Sequence, residues 1–355
     1  MKKLTILLAA FLFTAGMAFA QNNDATVDQT GNDNQATATQ SGSDNDAEIE
    51  QVGNDNDGTI TQNNLNNSGT ILQTGDNNTA TSDQDGEKND GFILQGWDDK
   101  SVTDGNEVSL TQSGYANRSD VFQFYGEDNE ATVTQSGQEN DARVMQGWFV
   151  PFDAVNRNVA SIDQQSSNND SRIFQYNGDD NEAIVNQSIG DYNNGQISQG
   201  YLWNVHDVQI SEANFNYGRI DQLGGDNNAT VMQLGDHNSF ELVQNGSGNV
   251  VGEEGRVSQG AKWFIQDGDD NDFVGEQNNG SILDYDSEGI SGYYGSFQEG
   301  NYNKIDLIQG QDDYGLIQQL GDSNTATLFQ AGNIGHEATI LQNGNSNTAH
   351  VTQTN

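Results

Sequence analysis

The chain of 355 residues carries 53 Asp+Glu against 12 Lys+Arg, a formal net charge of -41, with 41 Gly, 1 Pro, no Cys and 32% hydrophobic residues. Such an acidic excess repels nucleic acid and anionic membrane surfaces, because each phosphate contact needs a cation to neutralise it, and a chain without Cys has neither disulfides nor thiolate metal sites. So little apolar material speaks against a conventional enzyme core, and composition alone matches a disordered chain unless those residues are placed in a strict pattern.

In chain order the first element is an export signal. Lys2 and Lys3 precede an apolar run from Leu4 to Phe13, and Ala18-Phe19-Ala20 supplies a small-x-small cleavage site. Residues 1–20 are therefore expected to be removed as a secretory signal peptide, leaving a mature chain that begins at Gln21. The run is short for a membrane span, and no later stretch approaches the roughly 20 apolar residues that a span requires.

From Asn23 onward one unit recurs: N-x-small-x-aliphatic-x-Q, then x-G and a short turn. It is read in Asn34 to Gly42, Asn45 to Gly53, Asn129 to Gly137, Asn140 to Gln146, Asn324 to Gly332 and Asn347 to Gln353, with successive terminal Gln residues mostly 11 or 12 apart. Counting gives about 28 units, with Ile210 and Ser287 in place of the terminal Gln, and Glu253, Ser281, Gly292, Asp313 and His336 in place of Asn. The selected residues fall at alternate positions, which is the period of a strand and not of a helix. Each unit is therefore one short strand with Asn, a small residue, an aliphatic residue and Gln facing inward. Two strands make a coil, and about 14 stacked coils over residues 21–355 make an all-β, two-sheet parallel β-solenoid.

A buried amide without a partner costs several kcal/mol, but identical amides stacked at the strand spacing donate to one neighbour and accept from the other. The residues assigned to these ladders are Asn34, Gln40, Asn45, Gln51, Asn129, Gln135, Asn140, Gln146, Asn324, Gln330, Asn347 and Gln353. Insertions are expected near 96–105, 147–157, 245–255 and 260–270, with Pro151 inside one of them. The unit count places Trp97, Trp148 and Trp203 along one edge and Trp263 on the opposite edge. Just before the terminal Gln, odd units carry Leu72, Leu94, Phe122, Met145 and Phe174. Odd units share a sheet, so these five predict an outward apolar stripe for lateral contacts.

These residues resemble the curlin repeat of curli fibre subunits, in the pattern S-x5-Q-x-G-x-x-N-x-A-x3-Q, over nearly the whole mature chain. The resemblance implies a bacterial functional amyloid: export, passage through an outer-membrane pore, and nucleated self-polymerisation into cell-surface fibres of a Gram-negative-type bacterium for biofilm matrix and adhesion. The partners it implies are further copies of the chain, a nucleator subunit and the secretion pore. The regular last unit favours the major subunit over the nucleator.

The alternative is a monomeric secreted β-solenoid acting as an adhesin or ice-binding protein. A monomer needs capping segments at its terminal strands, and repeats run to Gln353 without one. An ice-binding face needs an unbroken outward Thr array, and Thr37, Thr59 and Thr81 are read as interrupted by Glu48, Phe92 and Asp120. No catalytic, cofactor or metal constellation is expected. His206, His237, His336 and His350 lack metal spacing, and the acidic turns at Gly178 to Asn181 and Asp267 to Asp272 match no calcium loop.

Overall fold

The computed structural model describes residues 22–96, 103–147, 155–176, 178–202, 209–210, 213–252, 263–283, 295–332 and 335–354. Within them the chain winds between two parallel sheets. Sheet one has 15 strands and runs from Asp24–Asn32 to Glu337–Asn343; sheet two has 13 and runs from Gln35–Gln40 to Thr348–Thr354. Inward residues pair like with like: Val27 faces Ile49 and Gln29 faces Gln51 in sheet one, while Gln40 faces Gln62 in sheet two. Two rungs of sheet one are each made of two short strands, Val250–Val251 with Phe264–Asp267 and Ile282–Leu283 with Phe297–Glu299, so both sheets have thirteen rungs.

Among the described residues the solenoid thus has thirteen coils where about 14 were expected. Ile210 is not a terminal position: it pairs with Tyr201 in an antiparallel two-stranded element outside both sheets. Gln259 and Ser287 lie outside the described residues, as do Glu253 and Gly292, and the register gives the terminal positions to Gln266, paired with Gln233, and Gln298, paired with Gln266. The 28 units become 26, and in this register every one of them ends in Gln. The insertions expected near 245–255 and 260–270 are instead one departure between Val251 and Trp263 that interrupts a rung, and a second separates Leu283 from Phe297. Spacing misled because these enter strands and because the departure after Gln199 is long enough to be counted as a unit.

The interior is one residue thick on each side. Ile49, Ile60, Ile71 and Ile93 are fully buried, and each such side chain contributes about 1.5–3 kcal/mol on removal from water. A small residue in one sheet faces an aliphatic residue in the other: a Cβ on Gly58 would lie 3.1 Å from Ile49 Cγ2, and one on Gly91 would lie 2.7 Å from Leu110 Cδ2. The exchange of volume is plainest where Phe240 and Phe273 take the small position of sheet two. They stack at 4.6 Å and meet Phe264 of sheet one at 5.5 and 4.7 Å. Gly275 makes the room, since a Cβ there would lie 2.7 Å from the Phe273 ring.

The turns are built by two left-handed positions. Gly31, Gly53 and Gly75, two residues after Gln, have φ of 123°, 130° and 121°, and a Cβ on Gly31 would overlap the Gly53 carbonyl of the next coil. The residue before the ladder Asn is also left-handed, as in Asp33 (φ 55°), Asp44 (59°), Asp55 (56°) and Asp128 (56°). Asp and Asn tolerate that conformation best, which accounts for a share of the chain's acidity.

Candidate assembly surfaces

The terminal glutamines form two continuous ladders. In sheet one Gln29 Nε2 donates to Gln51 Oε1 at 2.7 Å, Gln51 to Gln73 at 2.7 Å, and so on to Gln319, which donates to Gln342 at 2.8 Å. In sheet two the series runs from Gln40 donating to Gln62 at 3.0 Å to Gln330 donating to Gln353 at 2.8 Å. Many of these nitrogens also donate to a carbonyl of the facing sheet, as Gln51 does to Gln35 O and Gln135 to Arg118 O, both at 2.8 Å. That second bond fixes which end of the amide is nitrogen. The ladders therefore run one way, with donors pointing toward the C-terminal end.

The asparagines run alongside. Asn34 Oδ1 accepts from the backbone N–H of Asn56 at 3.0 Å, and Asn324 Oδ1 from that of Asn347 at 3.0 Å, while Asn34 Nδ2 donates to Gly53 O at 2.9 Å in the next turn. Asn45, Gln51, Asn140 and Gln146 stand in sheet one; Asn34, Gln40, Asn129, Gln135, Asn324, Gln330, Asn347 and Gln353 stand in sheet two. Those in interior coils are fully buried; Asn34, Gln40, Asn347 and Gln353, in the end coils, are half-exposed. Sheet two has Asn at every rung, whereas sheet one has Ser281, Asp313 and His336 in its last three.

The outer faces differ. Leu72, Leu94, Phe122, Met145 and Phe174 pair in succession along sheet one. Leu94 is buried and the other four are half-buried. Phe122 stacks on Phe124 at 5.7 Å, Phe174 on Tyr176 at 5.9 Å, and the Tyr176 hydroxyl donates to Met145 Sδ at 3.1 Å. Farther along the same face Met232, Leu234, Ile265 and Phe297 are buried in a second apolar cluster that Trp263 packs against. Trp263 thus belongs to a strand junction of sheet one and not to the opposite edge, because Gln266 ends its rung. Trp97, Trp148 and Trp203 lie outside the described residues; Gln95, Gln146 and Gln199 before them all end sheet-one strands.

On sheet two, Thr37, Thr59, Thr81, Ser109, Thr132 and Ser161 form an outward hydroxyl column over the first six rungs, which ends where Ile184, Arg219 and Glu241 take the same position. Glu48, Phe92 and Asp120, read as interrupting it, belong to sheet one. Those three interruptions came from merging two faces; the array is nonetheless interrupted, by Ile184 and the residues after it on sheet two itself.

Charges are paired locally. Asp120, nearly buried on sheet one, takes Arg118 at 2.9 Å and Arg143 at 3.0 Å. Burial raises the carboxyl pKa of neighbouring Asp90, with Arg118 opposing it. Asp180 is held below the ordinary carboxylate value, chiefly by its hydrogen bond from Arg157 at 2.7 Å. In the acidic turns the side-chain oxygens serve the backbone: Asp269 Oδ1 accepts from Asp236 N at 2.9 Å. Among the described residues no group of three or more His, Cys, Asp or Glu converges as a metal site, and no helix is long and apolar enough to cross a membrane. His237 stacks on Phe215 at 5.1 Å, His350 faces outward, and His336 stands in the Asn column. His206 lies outside the described residues.

Residues 20–53, 103–137 and 214–246 match the curlin associated repeat. No curated protein matches the chain. The three stretches fall in the first, middle and later coils, and the same rung continues between and beyond them with Gln at every terminal position. In these three stretches the chain is a curlin-repeat protein.

Proposed function

We propose that the exported chain is the structural subunit of an extracellular curli-like fibre, elongating end to end by self-association on the surface of a Gram-negative-type bacterium for biofilm matrix and adhesion. One observation carries this reading: the glutamine ladders at the two ends are complementary. Asp24–Asn32 is exposed along its whole length, and Thr348–Thr354 is only half covered. Gln29 and Gln40 offer Oε1 at one end; Gln342 and Gln353 offer Nε2 at the other. Asn23 to Gln29 of one copy then stacks on Ala338 to Gln342 of the next without a register shift. A nucleator and an outer-membrane pore are the further partners that the family suggests.

Incubating purified residues 21–355 without partners tests the proposal. The expected product is filaments with a meridional spacing of about 4.8 Å. A folded chain that stays monomeric at high concentration counts against it.

Lateral association of filaments is assigned to the row Leu72, Leu94, Phe122, Met145 and Phe174, through the four half-buried members, with the buried Leu94 paired between Leu72 and Phe122. Changing Leu94, Phe122 and Met145 together to Thr should preserve elongation and leave thinner, unbundled filaments; bundles of unchanged width eliminate this role.

The hydroxyl column over the first six rungs of sheet two is the observation behind the second reading, a monomeric solenoid that binds ice or acts as an adhesin. A soluble monomer that reshapes growing ice crystals would select it.

A further inference from the structure

We infer that His336 is a built-in stop in the Asn ladder of sheet one, so that at the Asn position a second copy of this chain docks on the C-terminal end through sheet two alone. The inference rests on the end-to-end reading above. At the last rung of sheet two, Asn347 sends both its backbone N–H and its Nδ2 to Asn324 Oδ1, each at 3.0 Å. Its own Oδ1 is then the acceptor for a following rung. At the last rung of sheet one, His336 makes the same two bonds: its backbone N–H reaches Asp313 Oδ1 at 2.8 Å and its Nδ1 reaches that oxygen at 2.9 Å.

Asp313 fixes the ring. Its side chain is fully buried, and its Oδ2 accepts from the Gly310 N–H at 2.7 Å. With the carboxylate accepting, Nδ1 carries the hydrogen. The imidazole therefore copies the donor half of a carboxamide. On the other branch of Cγ the two groups differ: a carboxamide has Oδ1, whereas imidazole has Cδ2–H, which accepts nothing.

Within the solenoid, the Asn45 N–H donates to Asn23 Oδ1 at 3.0 Å. The Asn23 N–H of a docking copy has the matching need and faces the His336 Cδ2–H where the column has Oδ1; the ring's remaining acceptor, Nε2, lies one bond beyond that place. An unpaired backbone N–H enclosed in a junction is unfavourable. The glutamine ladders remain open for docking in both sheets, so the junction is completed at three of its four ladder positions. An end that templates less well than the interior is a recognised way to restrain an exposed sheet edge.

Seeded elongation of the mature chain tests this, read as the monomer concentration remaining at equilibrium with filaments. His336→Asn should lower it about tenfold, the worth of one restored buried hydrogen bond. Asp313→Asn combined with His336→Asn recreates an Asn-Asn step and should do the same if the single variant, left with a lone buried carboxylate, folds poorly. The reciprocal Asn347→His should raise the residual concentration by a similar factor. Equal residual concentrations for the parent chain and the double variant overturn the inference while leaving the fibre reading intact. Absence of filaments from every variant and from the parent chain removes the fibre reading and this inference with it.

Discussion

Sheets one and two share a repeat and a register yet do different work. Sheet two carries Asn and Gln at all thirteen rungs, and each rung is one continuous strand. Sheet one has two split rungs, three replacements in its Asn column and a buried outward cluster around Met232, Ile265 and Phe297. The long departures from the repeat, at 96–105, 147–157 and 200–215, also follow strands of sheet one, whereas the turns leading back from sheet two keep three to five residues between Gln and the next ladder position. A two-sheet solenoid can thus confine its variation to one side, because the inward residues of that side are still held by the ladder of neighbours above and below.

The largest effect should come from moving an insertion across. Deleting 252–262 joins Val251 to Trp263 and Phe264, so Trp263 becomes the single outward residue between the small and aliphatic positions. The deletion should change stability by less than about 1 kcal/mol, because the outward cluster keeps its Trp and no loop need be closed. The same eleven residues placed between Phe240 and Glu241 of sheet two should cost about 3 kcal/mol or more, since Glu241 and Glu276 on that face are exposed and offer the loop nothing to pack on. Denaturant unfolding followed by circular dichroism compares them; equal losses would mean that the two sides are equivalent.

At the glutamines the sheets should be alike. Gln135 donates to Arg118 O and Gln164, and Gln123 to Glu107 O, Asn129 O and Gln146, all between 2.8 and 3.2 Å. Replacing either with Met leaves buried amide and carbonyl groups unpaired, at about 2–4 kcal/mol. A much smaller loss in sheet one would show that its ladder is weaker throughout and not only at the Asn column. A step lower, Gly275→Val should cost about 2 kcal/mol by collision with Phe273, and Phe273→Ala should recover part of that cost if the two positions exchange volume.

The alternation of inward and outward residues was legible from Asn34 to Gln40 and from Asn347 to Gln353, because a strand's period is two and each inward class is chemically distinct. The split rungs were not. Gln259 stands 15 residues after Gln244, which reads as one unit with a short insertion, and a count along the chain cannot separate a residue that packs inward from one that does not. Phe264-Ile265-Gln266 carried the available signal, an apolar-x-Gln ending before the acidic turn. The Asx preference just before the ladder Asn was visible in Asp33-Asn34, Asp44-Asn45 and Asp55-Asn56, and its cause emerged only with the left-handed backbone there. The hydroxyl column over the first six rungs is legible only with even and odd units taken apart, as is the row from Leu72 to Phe174 on the other face.

The smallest expected effect is electrostatic and should have opposite signs on the two sides. Asp180, in the turn entering sheet two, has its pKa lowered by the hydrogen bond and charge of Arg157. A lowered carboxyl contributes stability above its unfolded value, near 3.9, and that contribution is lost as pH falls through the folded value. Arg157→Gln should therefore lower the thermal midpoint slightly at pH 7 and leave it unchanged well below pH 4. Asp90, on sheet one, has its pKa raised by burial against the opposing pull of Arg118. A raised carboxyl costs stability at neutral pH, and the cost disappears as pH falls through the folded value, where the neutral form is retained. Asp90→Asn should accordingly raise the midpoint at pH 7 and have little effect once the carboxyl is protonated. Thermal unfolding of both variants between pH 7 and 3 reads the two signs; a midpoint lowered by Asp90→Asn at pH 7 would mean that attraction to Arg118 outweighs burial at that position.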